Sequence, residues 1–112
     1  LGDVYKRQIL HAAMENEICK KVLSARNYTT SCTLQHEQGI TFSSKFLNRI
    51  DRKLEKGKVV GAKTGYVNQS RYCAVSMYES ESNNKYICVT GMAGKAWQTV
   101  YDHIAFYQNY CK

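Results

Sequence analysis

The sequence predicts an α+β fold in which helices cover an antiparallel sheet, and three features carry that expectation. Three β-prone runs, 58–66, 70–78 and 85–92, follow one another with connections too short for anything but antiparallel neighbours. The last two runs carry apolar residues on both faces, as in the middle of a covered sheet. A helical stripe of Trp97, Val100, Tyr101, Ile104, Ala105 and Cys111 then supplies an element to pack on that sheet.

The elements follow in order. Ile9, Leu10, Ala13, Met14, Ile18 and Val22 recur at three-to-four spacing, which predicts an amphipathic helix, or two short ones parted at Asn16-Glu17. From Asn27 to Leu34 the residues turn β-prone, and Gly39 provides a turn before Ile40-Thr41-Phe42, so a small hairpin is expected. Phe46, Leu47, Ile50 and Leu54 give a short helical stripe ending near Gly57. The polar residues Glu79 to Asn84 make the turn between the second and third strands of the main sheet.

Composition narrows the class. The chain has 112 residues, no proline, 44% hydrophobic residues and a formal charge of +7, which excludes a disordered chain and leaves room for one domain. A core of this size buries about two-thirds of the unfolded surface. Apolar runs of a few residues fall far short of the roughly 20 needed to cross a bilayer, and there is no solenoid period. Leu1 to Gln8 (LGDVYKRQ) resembles non-native read-through, and the chain stops at Cys111-Lys112 directly after a strongly patterned helix. Residues 9–112 are therefore expected to be the C-terminal portion of a longer domain.

Five cysteines (Cys19, Cys32, Cys73, Cys88, Cys111) cannot all pair within one chain, and none stands in C-x-x-C spacing. With His11, His36 and His103 spread apart, no zinc site is expected. The thiols are expected to be mostly buried, as small hydrophobes, with a single bridge left open. Charge is concentrated between Lys45 and Lys63, where seven cations (Lys45, Arg49, Arg52, Lys53, Lys56, Lys58, Lys63) stand against Asp51 and Glu55, a surplus of five. No helix-turn-helix, zinc-finger or RNP signature accompanies this run, so nucleic acid is not the expected partner. A positive field of this kind also attracts an anionic substrate or wall polymer.

Lys63-Thr64-Gly65, preceded by Val59-Val60-Gly61-Ala62 and followed by Tyr66, is the one motif that carries chemistry. The lysine offers a fixed positive charge, the threonine a hydroxyl donor, and the glycine leaves the strand open to another surface. A strand edge so built holds an extended peptide by backbone pairing while anchoring its terminal carboxylate. An ordinary hairpin strand with a surface lysine and a turn glycine fits the local features equally.

The stretch VVGAKTGYVNQSRYCAVSMYESESNNKYICVTGM resembles the third active-site motif and following strands of serine D-alanyl-D-alanine carboxypeptidases, the low-molecular-weight penicillin-binding proteins of peptidase S11 type. QILHAAMENEICKKVLSARNYTT is similar to their paired helices and following strand, and the final helix to the element closing the domain. The resemblance runs over roughly Ile9 to Tyr110 and implies a β-lactamase/transpeptidase-like fold. It implies that Lys63 and Thr64 bind the substrate's terminal carboxylate, with Lys63 also shaping the field around the nucleophile. It implies further that Gly65 keeps the strand open and that the backbone N–H of Tyr66 contributes to the oxyanion hole. The implied substrate is a peptidoglycan stem peptide ending in D-Ala-D-Ala, with β-lactams as covalent inhibitors of the intact enzyme. No cofactor or metal is implied. The parent would be bacterial and extracytoplasmic, with its signal peptide upstream and a membrane anchor possible beyond this chain.

The pattern departs from the family in one respect. Ser-x-x-Lys and Ser-x-Asn, which mark the wider group, should precede Lys63 and do not. Ser82-Asn83-Asn84-Lys85 has the right letters but lies in the polar turn after it, where no buried base or oxyanion hole is expected. The nucleophile is expected upstream of this chain, and the 112 residues alone are expected to be inactive. Asp102 and His103 adjoin on one helix and do not face each other. His11 and His36 are expected at solvated or partly buried surfaces. A β-lactamase of the same fold shares the Lys-Thr-Gly strand, although the paired helices favour the carboxypeptidase. A non-catalytic basic module binding wall polymer or nucleic acid through Lys45 to Lys58 is the reading from another class.

Overall fold

Asn16 divides the first helical stretch in two. Its side-chain oxygen accepts from the backbone N–H groups of Ile18 (3.1 Å) and Cys19 (3.0 Å), which stops one helix and caps the next. The computed structural model describes residues 2–112 and shows α1 (Gly2–Glu15) and α2 (Glu17–Ser24) on either side of this cap. Of the first eight residues, Leu1 lies outside the described residues and the others form the first half of α1, ahead of its first buried side chain, Leu10.

A two-stranded sheet follows, β1 (Asn27–Thr29) against β2 (Thr41–Ser43), antiparallel with Tyr28 opposite Phe42. Gly39 closes its loop at φ +73°, where an added Cβ would fall 2.2 Å from the Thr30 carbonyl oxygen, so only glycine fits. Helix α3 (Lys45–Asp51) starts at Ser44, whose hydroxyl accepts from Leu47 N–H. It ends six residues before Gly57, earlier than the apolar spacing predicts, because Leu54 is carried by a turn rather than a further helical turn.

The main sheet is β3 (Lys58–Val67), β4 (Arg71–Glu79) and β5 (Lys85–Ala93), antiparallel in the order β3-β4-β5. Helix α4 (Ala96–Tyr110) returns across one face. There Phe46, Leu47 and Ile50 of α3 and Val100, Ile104 and Tyr107 of α4 bury against Val59, Ala74 and Tyr78. On the other face Leu10 and Met14 of α1 bury against Met77, with Leu23, Val60, Val75 and Ile87 around them. The sheet is therefore sandwiched between two helical layers, and full burial of each such side chain is worth about 1.5–3 kcal/mol. The expected α+β fold, an antiparallel sheet covered by helices, is the observed one.

Four expectations are corrected. Among the described residues β5 pairs only with β4, so of the last two strands β4 alone has a partner on both sides. The buried face of α4 is Thr99, Val100, His103, Ile104 and Tyr107, whereas Trp97, Tyr101 and Ala105 are exposed. Polar residues that bond within the core disguise that face in the sequence. Ile9, Ile18 and Val22 are exposed, at 68–76%: α1 turns Leu10 and Met14 inward, and the Asn16 break resets the phase of α2 and leaves Leu23 as its residue that packs inward. None of the five cysteines is buried: Cys19 and Cys32 are exposed, the other three half-buried, and all are free thiols.

Candidate functional site

Strand β3 divides into an inner and an outer half. Val59 to Ala62 reach the core or its margin, whereas Lys58 and Lys63 to Val67 are exposed. A bulge between Val59 and Gly61 lets the inner half turn from one packing register to the next. Beyond it, Lys63 is opposite Val75, Thr64 opposite Ala74, Gly65 opposite Cys73 and Tyr66 opposite Tyr72. Among the described residues β3 pairs only with β4, so its second edge has no strand partner.

Lys63, Thr64, Gly65 and Tyr66 all line one cavity of about 600 Å³. Its other walls come from Ser43, Ser44, Lys45 and Phe46 at the β2–α3 junction, Tyr72 and Cys73 on β4, and the first turn of α4 with Trp97. Lys63 Nζ donates to the Thr64 carbonyl, holding the ammonium over its own strand. A Cβ added at Gly65 would meet nothing within 4 Å, so this stretch of backbone is open to an incoming chain. The rings of Tyr66 and Tyr72 pack at 4.7 Å between centroids and stiffen the outer end of the hairpin.

The serines of this wall are occupied by structure. Ser43 Oγ donates to Asn27 Oδ1 at 2.8 Å, and Ser44 Oγ caps α3. Among the described residues neither hydroxyl is hydrogen-bonded to a base, as a nucleophilic hydroxyl requires. Ser82 lies in the exposed turn between β4 and β5, which is braced by Ser80 accepting from Asn84 N–H and by Asn83 at φ +62°. Among the described residues no group of three or more His, Cys, Asp or Glu could hold a metal ion, and no helix is long and apolar enough to cross a membrane.

The sequence points to the β3 part of this wall and not to the rest. Lys45 is visible there only as one charge in a basic run, and the helical spacing places Trp97 on a buried face. Its ring instead stacks under the Arg49 guanidinium, 4.0 Å from the ring centroid, at the mouth of α4. His103, by contrast, is fully buried beneath the sheet and lies outside this cavity.

The solved structure of a D-alanyl-D-alanine carboxypeptidase from Mycobacterium tuberculosis H37Rv aligns with 91% of this chain at a TM-score of 0.58 and 15% identity. The chain shares its fold with that carboxypeptidase. The aligned part is 39% of the carboxypeptidase chain, so these 112 residues span about two-fifths of its length. No family model and no curated protein matches the sequence. At this identity the likeness to the carboxypeptidase establishes the antiparallel sheet with its helical layers, and the cavity at β3 is described from this chain alone.

Proposed function

We propose that the chain is the carboxylate-anchoring part of a serine-type D-alanyl-D-alanine carboxypeptidase, of the low-molecular-weight penicillin-binding type. The observation that carries this reading is Lys63-Thr64-Gly65 on an unpaired strand edge, lining a 600 Å³ cavity within a carboxypeptidase-like fold. A stem peptide lies along β3 as an added strand, its main chain paired with the free edge. Its terminal carboxylate is held by the Lys63 ammonium and the Thr64 hydroxyl, which makes no other hydrogen bond among the described residues. Gly65 leaves the approach clear, and Tyr66 N–H donates to the oxyanion that forms when a serine attacks the D-Ala-D-Ala carbonyl. One such donor is worth about 3 kcal/mol of barrier.

The attacking serine and its base come from a segment outside these residues. The serine Oγ bonds to the carbonyl carbon, D-alanine leaves with the proton, and water later cleaves the ester. The same site accepts β-lactams, and the enzyme acts outside the cytoplasm, where peptidoglycan is.

The test is a titration of the chain with acetyl-Ala-D-Ala-D-Ala and with its C-terminal amide. The acid should bind at least about tenfold more tightly than the amide, as expected of a charge-assisted contact. Lys63→Ala should abolish the difference. Equal binding of acid and amide sinks the reading. In the intact enzyme, labelling by a fluorescent penicillin should weaken with Lys63→Ala, and the 112-residue chain should not label at all.

A further inference from the structure

Lys45 opens α3 and lines the same cavity as Lys63. These two ammonium groups are the only formal charges in the cavity wall, which contains no aspartate or glutamate. Neither joins an ion pair among the described residues. The single acid on α3, Asp51, is already taken: Arg26 grips both its oxygens, at 2.8 and 2.9 Å. The remaining lining is largely hydroxyl, aromatic and aliphatic, so no wall group offsets either cation. A ligand with one carboxylate neutralises Lys63 and leaves Lys45 unmatched.

Resting on the reading of Lys63 as the anchor of the terminal carboxylate, we propose that Lys45 determines specificity by binding a second carboxylate of the same ligand. The ligand class is a peptide with an acidic side chain upstream of its C-terminus. Both ammonium groups line the one cavity, so the two carboxylates belong to a single ligand seated in it. Lys45 touches the ligand and has no part in bond breaking.

The experiment compares acetyl-Glu-Ala-D-Ala-D-Ala with acetyl-Gln-Ala-D-Ala-D-Ala, titrated by NMR against the full chain, wild type and Lys45→Gln. The glutamate peptide should bind about fivefold more tightly to wild type, the scale of an exposed ion pair. That preference should vanish in Lys45→Gln, survive in Lys45→Arg, and shrink as salt is raised. Equal affinity of the two peptides for wild type overturns the role of Lys45 while leaving that of Lys63 standing. A preference that persists in Lys45→Gln overturns it too, since another cation would then carry it. If neither peptide binds, the anchoring role of Lys63 falls and this proposal falls with it. Lys45 is exposed, and an unchanged wild-type amide spectrum away from α3 confirms that the variants are folded. Should Lys45→Gln not fold, a wild-type preference unaffected by salt is the overturning result.

Discussion

Ser76 Oγ lies 2.6 Å from Nδ1 of His103, and neither residue has any exposure to solvent. Thr90 Oγ1 meets the other ring nitrogen at 3.0 Å, and Tyr107 OH both contacts Ser76 Oγ and donates to the Ser76 carbonyl. The sheet and α4 are thus joined by a fully bonded polar knot inside an otherwise apolar face. Burial pushes the imidazole down from 6.5 to about 4, against a small opposing effect of the neighbouring Asp102 carboxylate. The folded protein holds His103 neutral where the unfolded chain would protonate it.

The sign follows from linkage. Between pH 6.5 and about 4 the unfolded state binds the extra proton, so stability is complete above 6.5 and declines as pH falls through this window. The loss approaches about 3 kcal/mol at the lower end, because each pH unit crossed in the window costs about 1.4 kcal/mol. Urea unfolding at pH 7.5, 5.5 and 4.5 checks it. The slope should disappear in His103→Gln, and an equal slope in that variant would assign the effect to other groups.

This knot also marks the limit of what the sequence reveals. The strands of the main sheet are legible because their apolar and β-branched runs and the polar turn at Glu79–Asn84 are local signals. The break at Asn16 is legible for the same reason. The inward face of α4 is not, since Thr99, His103 and Tyr107 look like solvent-facing residues until Ser76 and Thr90 are brought opposite them by the fold. Half of the cavity follows from Lys63-Thr64-Gly65. The other half depends on α3 and α4 meeting at Arg49 and Trp97, a tertiary event between residues 48 positions apart with no sequence signature.

Arg26 fixes the β1 side of the molecule to α3 and β3 together. Besides its two bonds to Asp51 it donates to the carbonyls of Val59 (2.7 Å) and Ser24 (2.8 Å). The pair is only about one-third exposed, and removing the guanidinium also takes away a donor to the Val59 carbonyl beside the bulge. Arg26→Ala should cost about 2 kcal/mol in urea unfolding. Arg26→Lys should recover little, because an ammonium cannot reproduce the planar fork. Full rescue by lysine would reduce the contact to simple charge attraction.

Gly61 is where α1 meets β3. A Cβ there would fall 2.5 Å from Met14 Sδ and 2.8 Å from its Cε, closer than real contacts allow. Met14 is flexible, so the expected result of Gly61→Ala is displacement of one helical contact, with a loss of about 1–2 kcal/mol and no loss of fold. Met14→Ala opens space for the new methyl. The double variant should therefore be less destabilised than the sum of the singles, a coupling that a double-mutant cycle measures directly. Additivity would mean that the strand, not the methionine, takes up the strain.

Trp97 is the sole tryptophan of the chain, 39% exposed, in the wall of the cavity and stacked on Arg49. Its emission therefore reports on ligand entry without any label. Arg49 Nε is buried and has no hydrogen-bond partner among the described residues, so the stack is what orients this side chain. Arg49→Gln loses a cation–π contact worth about 0.5–1 kcal/mol and also removes the unsatisfied nitrogen. The two effects oppose each other, and the net change in stability should be small, below about 1 kcal/mol. The fluorescence should nonetheless shift to the red as the indole gains freedom and water. Peptides that bind through Lys63 should change the emission of wild type and, with smaller amplitude, that of Arg49→Gln. If saturating acetyl-Ala-D-Ala-D-Ala leaves Trp97 emission unchanged while NMR shows binding, the peptide occupies a different surface from the one lined by α4.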